Sequence, residues 1–269
     1  HFRKRKTAQN GSKIMKPALV MTLFIFSVSL APLQAESVLE FRFNQYHRTL
    51  QNGSYKFFYL HGKKRNKIKS NQIQLFHKTY YHLLFKQPMP PVEIIIFPRK
   101  SSFLKHTNVP EGYQAFYLTG QKAVVTYDSG NIGVLQHEIV HHWIQSNIRG
   151  NLPLWFEEGL ASLFESPIYS NGNIKYFHTN ERHEKLKGKK WTHLEKFMKT
   201  VDLPNDHDKA QARLIFLWLA DQNLLYKFVQ AYSDNVDFDP SGIESLEEVT
   251  GKKIAELNGF LEMYSKKQH

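Results

Sequence analysis

Two histidines four residues apart, His137 and His141, enclose Glu138 in the run Gln136-His137-Glu138-Ile139-Val140-His141-His142-Trp143. On an α-helix, residues i and i+4 lie one turn apart and about 40° from each other around the axis, so both imidazoles leave the same face. The pair can grip one metal ion only if this segment is helical, which makes it the strongest constraint on the fold. Glu138 points about 100° away from His137, beside such an ion rather than onto it. After sixteen intervening residues Glu158 stands in Phe156-Glu157-Glu158-Gly159-Leu160-Ala161. Glu157 is its neighbour and the lesser candidate. If Glu158 is a third ligand, a second helix has to fold back onto the first. Gly150 and Pro153 supply a stop and a restart between the two. Small Ala161 and Ser162, at i+3 and i+4 from Glu158, leave room for close approach. Ile132, Leu135, Ile139 and Trp143 give the first helix an apolar side.

The rest of the chain supplies a scaffold. Val38–Phe43 and Tyr55–Leu60 read as strands of a hairpin that turns at Gln51-Asn52-Gly53-Ser54, Asn-Gly being a strong turn signal. Ile68, Ile73, Phe76, Tyr80, Leu83 and Leu84 recur mostly at helical spacing and predict a helix from about Asn66 to Phe85, ended by Pro88, Pro90 and Pro91. Val92–Phe97 reads as a buried strand, followed by a short helix capped by Ser101 or Ser102. Ala115–Leu118 and Ala123–Tyr127 are two more strands, and Asp128, Ser129 or Asn131 caps the histidine helix. Ile168–Lys190 is polar and reads as loop. Helices are expected over Trp191–Thr200, Lys209–Asp221 and Leu224–Tyr232, then from Pro240 to the Gly251 break, and over Lys253–Tyr264. Strands mixed with helices first and helices afterwards indicate α+β, with a mixed sheet in the N-terminal part.

Two neutral imidazoles and one carboxylate suit zinc and leave a fourth position for water. Zinc lowers the pKa of that water to about 7, Glu138 takes its proton and passes it to a leaving amine, and the metal polarises the scissile carbonyl. The chemistry expected of His137, His141, Glu158 and Glu138 is therefore metal-assisted hydrolysis of an amide, with a peptide or protein as substrate.

The pairing of His137-Glu138-x-x-His141 with Trp155-Phe156-Glu157-Glu158-Gly159-Leu160-Ala161 resembles the gluzincin metallopeptidases, in particular the peptidase-MA-like group with a Glu-Gly-Leu-Ala third-ligand motif. The resemblance is strongest over residues 132–165 and extends as a pattern of elements over about 55–265. It implies a zincin-like fold, His137, His141 and Glu158 as zinc ligands and Glu138 as general base. Aminopeptidase-like relatives carry a Gly-x-Met-x-Asn strand; Gly112-Tyr113-Gln114-Ala115-Phe116 lacks it, which argues against aminopeptidase specificity. Ser162 stands where many relatives have an acid, so a carboxylate bond to a ligand histidine is expected to be weak or absent. Relatives often stabilise the oxyanion with a Tyr or His on a later helix. His207, in Asp206-His207-Asp208-Lys209, is the candidate for that catalytic role. His142 is expected to cover the helix surface, and His178 and His183 to rim the cleft.

Charge and the N-terminus bear on location. The formal net charge is +12. Residues 1–35 hold six Lys or Arg and no acid, which leaves 30 basic against 24 acidic residues beyond them. That modest excess gives little support to nucleic-acid binding, and no nucleic-acid partner is expected. With no cysteine, disulfides, thiolate zinc sites and a lipobox anchor are excluded. Residues 1–14 precede the first methionine. Lys16, the apolar run Ala18–Leu30, Pro32 and Leu33-Gln34-Ala35 have the layout of a signal peptide cleaved before Glu36. A periplasmic or secreted chain with no stable membrane span after cleavage follows. The organisation expected is residues 1–35 as upstream residues and signal peptide, 36–165 as a zincin-like α/β part carrying both metal helices, and 166–269 as the helical C-terminal part of the same catalytic unit. The alternatives are a catalytically silent zinc-binding module of the cell envelope and a basic envelope protein that binds polyanions.

Overall fold

The computed structural model describes residues 48–59, 67–203 and 205–268. Strands β1 (Arg48–Asn52) and β2 (Tyr55–Tyr59) form the hairpin about Asn52-Gly53. Gly53 has φ +61°, a conformation that suits a residue without a side chain. The hairpin's first strand is thus 48–52, closer to the turn than the expected Val38–Phe43, which lies outside the described residues. The proposed leader, 1–35, lies outside them as well.

Helix α1 (Lys67–Leu84) crosses to β3 (Val92–Phe97), and α2 (Lys100–Thr107) leads to β4 (Ala115–Leu118) and β5 (Ala123–Tyr127). The sheet order is β1-β2-β3-β5-β4, with β2, β3 and β5 parallel and β1 and β4 antiparallel to their neighbours. Among the described residues β4 therefore forms one edge. β3 is apolar almost throughout because both its faces are covered. Ile94 and Ile96 point into the main core with Phe76 and Trp143, while Ile95 and Phe97 join Phe103, Phe116 and Val125 on the other face. That is the period-2 alternation of a strand used on both sides.

Next come α3 (Ile132–Asn147) and α4 (Leu154–Ser162), the histidine and Glu158 helices. Asn131 caps α3, its side chain accepting from the Gly133 N–H at 2.8 Å. The helix ends at Asn147, three residues before Gly150, and Pro153 stands at the α4 N-cap rather than within its first turn. Residues 168–190, expected to be loop, contain a small hairpin of β6 (Ile168–Ser170) and β7 (Asn173–Lys175) and a 3-10 turn over Glu181–Lys185. These three-residue strands are too short and polar for alternation to mark them in sequence.

The remainder is helical: α5 (Leu194–Met198), α6 (Asp206–Asp221), α7 (Leu225–Asn235), α8 (Ile243–Thr250) and α9 (Ile254–Lys267). α5 is half the length expected for Trp191–Thr200. Trp191 and Thr192 are used otherwise: the indole donates to Asn258, and Thr192 exchanges bonds with buried Gln211. Trp155 and Phe156 of α4 pack with Phe216 of α6 and Phe228 of α7, which joins the C-terminal helices to the same core as the sheet. None of the described helices is long and apolar enough to cross a membrane. The architecture is α+β.

Candidate metal centre

α3 lies along β4 and β5 and against α4. His137 and His141 leave its α4-facing side, 8% and 7% exposed, and Glu158 of α4 is 4% exposed. The two Nε2 atoms stand 3.0 Å apart. Glu158 Oε1 is 3.6 Å from His141 Nε2, and Oε2 is 4.0 Å from His137 Nε2. Donor atoms bonded at about 2.0–2.2 Å to one tetrahedral ion would stand about 3.3–3.6 Å from one another. The observed separations bracket that range, and one donor atom from each residue lies within 4.8 Å of the others. Three buried polar side chains so close would be costly without a shared partner. The donor set, two imidazoles and one carboxylate, fits an HExxH-type metal site.

Charge inside the cluster is arranged around Glu158. Burial alone would raise its pKa, but His137, His141 and Lys209 hold it below the ordinary carboxylate value. His141 is pushed down to about 4 by burial and by the charge of His137, so it is neutral with a lone pair to give. Burial would also lower His137, but Glu165 overrides it and raises the ring. Glu165 Oε1 stands 2.9 Å from His137 Nδ1. That contact turns the ring so that Nε2 faces the cluster; a metal on Nε2 would leave the remaining proton on Nδ1, toward Glu165. Glu165 is in turn held by both nitrogens of a fork from Arg182.

An acid behind one of the clustered histidines is therefore present, contrary to the expectation drawn from Ser162. It comes seven residues after Glu158 instead of four. Ser162 serves the backbone instead: its hydroxyl donates to the Gly159 carbonyl at 3.2 Å, and its own carbonyl accepts from Arg213 Nε at 2.9 Å. Glu165 stands three residues past the end of α4, so helical spacing does not mark it in sequence. Arg182 is equally unmarked, because it arrives from the 3-10 turn.

Glu138 stays outside the converging set. Its carboxylate accepts from the Tyr117 backbone N–H of β4, and burial pushes it up to about 7, with His137 offsetting part of the rise. His142, fully buried, places Nδ1 3.2 Å from the Tyr117 hydroxyl and ties α3 to β4. Glu157 takes no part in the triad. His178 and His183 stitch the loop after α4: the His178 ring approaches the Ser166 and Thr179 carbonyls at 2.7 Å, and His183 closes a capping box with Asn180.

His207 lies in the first turn of α6, its Nδ1 3.4 Å from Asp208. Lys209, two residues on, reaches the cluster from α6. Its Nζ stands 3.4 Å from Glu158 Oε2. The approach of α6 depends on Gly159, where a Cβ would lie 2.9 Å from the Ala212 carbonyl and 2.7 Å from the Phe216 ring. The closest packing of α4 is thus made by Gly159 against α6. No protein-family model matches this chain, and no curated protein matches it.

Proposed function

We propose that this chain is an exported zinc metallopeptidase of gluzincin type, with a zincin-like fold and a peptide or protein as substrate. The observation that carries the reading is the division of labour along one helix. His137 and His141 converge with Glu158, while Glu138, between them, is held against β4 and clear of the triad. Zinc held by His137, His141 and Glu158 would polarise a carbonyl and lower the pKa of a coordinated water to about 7.

The chain's own residues supply the rest. Glu138 is poised near neutrality to accept a proton and return it to the departing amine. Glu165 and Arg182 fix the His137 ring so that Nε2 faces the cluster. β4, paired on one side only among the described residues, offers main-chain groups along which an extended peptide can lie beside Glu138. Main-chain pairing of that kind leaves side-chain preference to other parts of the cleft. His207 remains the proposed partner for negative charge on the reacting carbonyl oxygen. The leader-like pattern of residues 15–35 supports export, and with it a periplasmic or secreted protein.

Two measurements test the reading. Elemental analysis of the purified protein is expected to give about one zinc per chain. Proteolysis of a denatured protein is expected to stop with a chelator and resume with zinc. Zinc-loaded protein that cuts nothing in a broad peptide library would favour the silent zinc-binding module.

A further inference from the structure

The ion pair between Lys209 and Glu158 is unequal in its access to solvent. The Glu158 side chain is 5% exposed and that of Lys209 is 31% exposed, so the ammonium is the member that an incoming molecule meets. Its position is fixed by packing. Ala212 and Arg213, one turn further along the same face of α6, are seated against Gly159 and the Ser162 carbonyl. Lys209 is therefore carried on a helix whose distance from α4 is set by backbone contact.

The charge balance favours an anion there. Glu158 already faces two imidazoles, and a divalent cation held by the three donors would more than neutralise it. The charge of Lys209 is then in excess beside the triad. The acids on the same turn of α6 have other partners: Asp206 faces Lys185 at 3.8 Å and Asp208 faces His207 at 3.4 Å.

We propose that Lys209 is a specificity residue that binds a carboxylate of the substrate close to the scissile bond. The inference rests on the metallopeptidase reading, under which the anion a substrate brings is a carboxylate. That group is either the free C-terminus or an Asp or Glu side chain. A carboxylate on an ammonium is a charge-assisted hydrogen bond in a partly desolvated cleft, strong enough for about a tenfold difference in affinity.

The test uses zinc-loaded Glu138→Gln protein, which retains the peptide it binds. It is presented with peptides that have free or amidated C-termini, and Glu or Gln at each internal position. Carboxylate forms are expected to bind about tenfold tighter than their amides, and the position of the effect identifies the source of the carboxylate. Adding Lys209→Met or Lys209→Gln is expected to bring the ratio near one, Lys209→Arg to keep most of it, and Lys209→Glu to reverse it in favour of the amides. Zinc content is measured for each variant, so that a lost ligand is not mistaken for a lost contact. Carboxylate and amide peptides binding alike or not at all, or a preference that survives Lys209→Met at one zinc per chain, overturns the proposal. Wild-type protein that cleaves none of these peptides while the Lys209-dependent preference persists would count against hydrolysis and leave the carboxylate site standing.

Discussion

The carbonyl oxygen of Glu165 passes so close to Gly133 that a Cβ built on the glycine would stand 1.5 Å from it. Gly133 is one turn before His137 on α3. The missing side chain lets the chain after α4 lie directly on that helix, and the Glu165 carboxylate reaches His137 Nδ1 as a result. The contact is with backbone, so no rotamer change can relieve it. Gly133→Ala is expected to destabilise the fold by about 2–4 kcal/mol, at the upper end for single substitutions. It should also weaken metal binding, because Glu165 is pushed off the histidine. Chemical denaturation and metal competition on the same preparation check both effects; an unchanged denaturation midpoint would refute the packing argument.

Glu165→Gln removes the charge behind His137 and keeps the shape. Loss of an outer-shell carboxylate typically costs ten- to a hundredfold in metal affinity. Arg182→Met should have a smaller effect in the same direction, since it loosens Glu165 without removing it. Competition with a chromophoric chelator measures both.

Glu165 also sets a pH dependence for the metal-free fold. Burial alone would raise its pKa; the contacts with His137 and Arg182 instead depress it to about 2. A depressed acid contributes stability that is fully present above its unfolded value, about 4.3, and is lost as pH falls through its folded value. The stability gap between wild type and Glu165→Gln, measured in excess chelator, is therefore expected to be of the order of 2 kcal/mol near pH 6. It should close between about pH 4 and pH 2. A gap that stays constant across that window would mean the carboxylate is not paired as described.

Metal removal should be visible in stability. Zinc at a hundredfold excess over its dissociation constant adds about 2.7 kcal/mol to a fold that binds it only when native. In a unit of this size that raises Tm by about 5–10 °C. The rise should vanish in His141→Ala, and calorimetry with and without chelator measures it.

Much of this site is legible in the sequence because helical periodicity is local. His137, Glu138 and His141 take their relative directions from 100° per residue, and the apolar side of α3 shows in Leu135, Ile139 and Trp143. The strands β3, β4 and β5 are legible for a similar reason, being short apolar runs bounded by Pro, Gly or Asp. The supporting residues are hidden because they depend on tertiary approach. Arg182 comes from a polar loop, Lys209 needs the Gly159–α6 packing, and Glu165 follows the end of its helix. Ser162 misled because it occupies the position one turn after Glu158, whereas the acid comes after the helix has ended. In the first hairpin the turn at Asn52-Gly53 was readable, but the segment that pairs with β2 was not.

The sharpest separation of binding from catalysis lies within one turn of α3 and its partner on α4. Glu138 is outside the donor triad and accepts from the Tyr117 N–H, whereas Glu158 lies within 4.0 Å of both imidazoles. Glu138→Gln keeps the size and the contact with β4 but removes the proton acceptor. Zinc content and Tm should stay near wild type while peptide hydrolysis falls by at least about a hundredfold, the usual cost of losing general acid–base help. Glu158→Gln should lower zinc affinity and activity together, because it removes the charge that faces both histidines and Lys209. At saturating zinc, part of the Glu158→Gln activity should return, and none of the Glu138→Gln activity should. Robust, chelator-sensitive hydrolysis by Glu138→Gln would show that another group handles the proton, and His207→Ala would then be the next variant to assay.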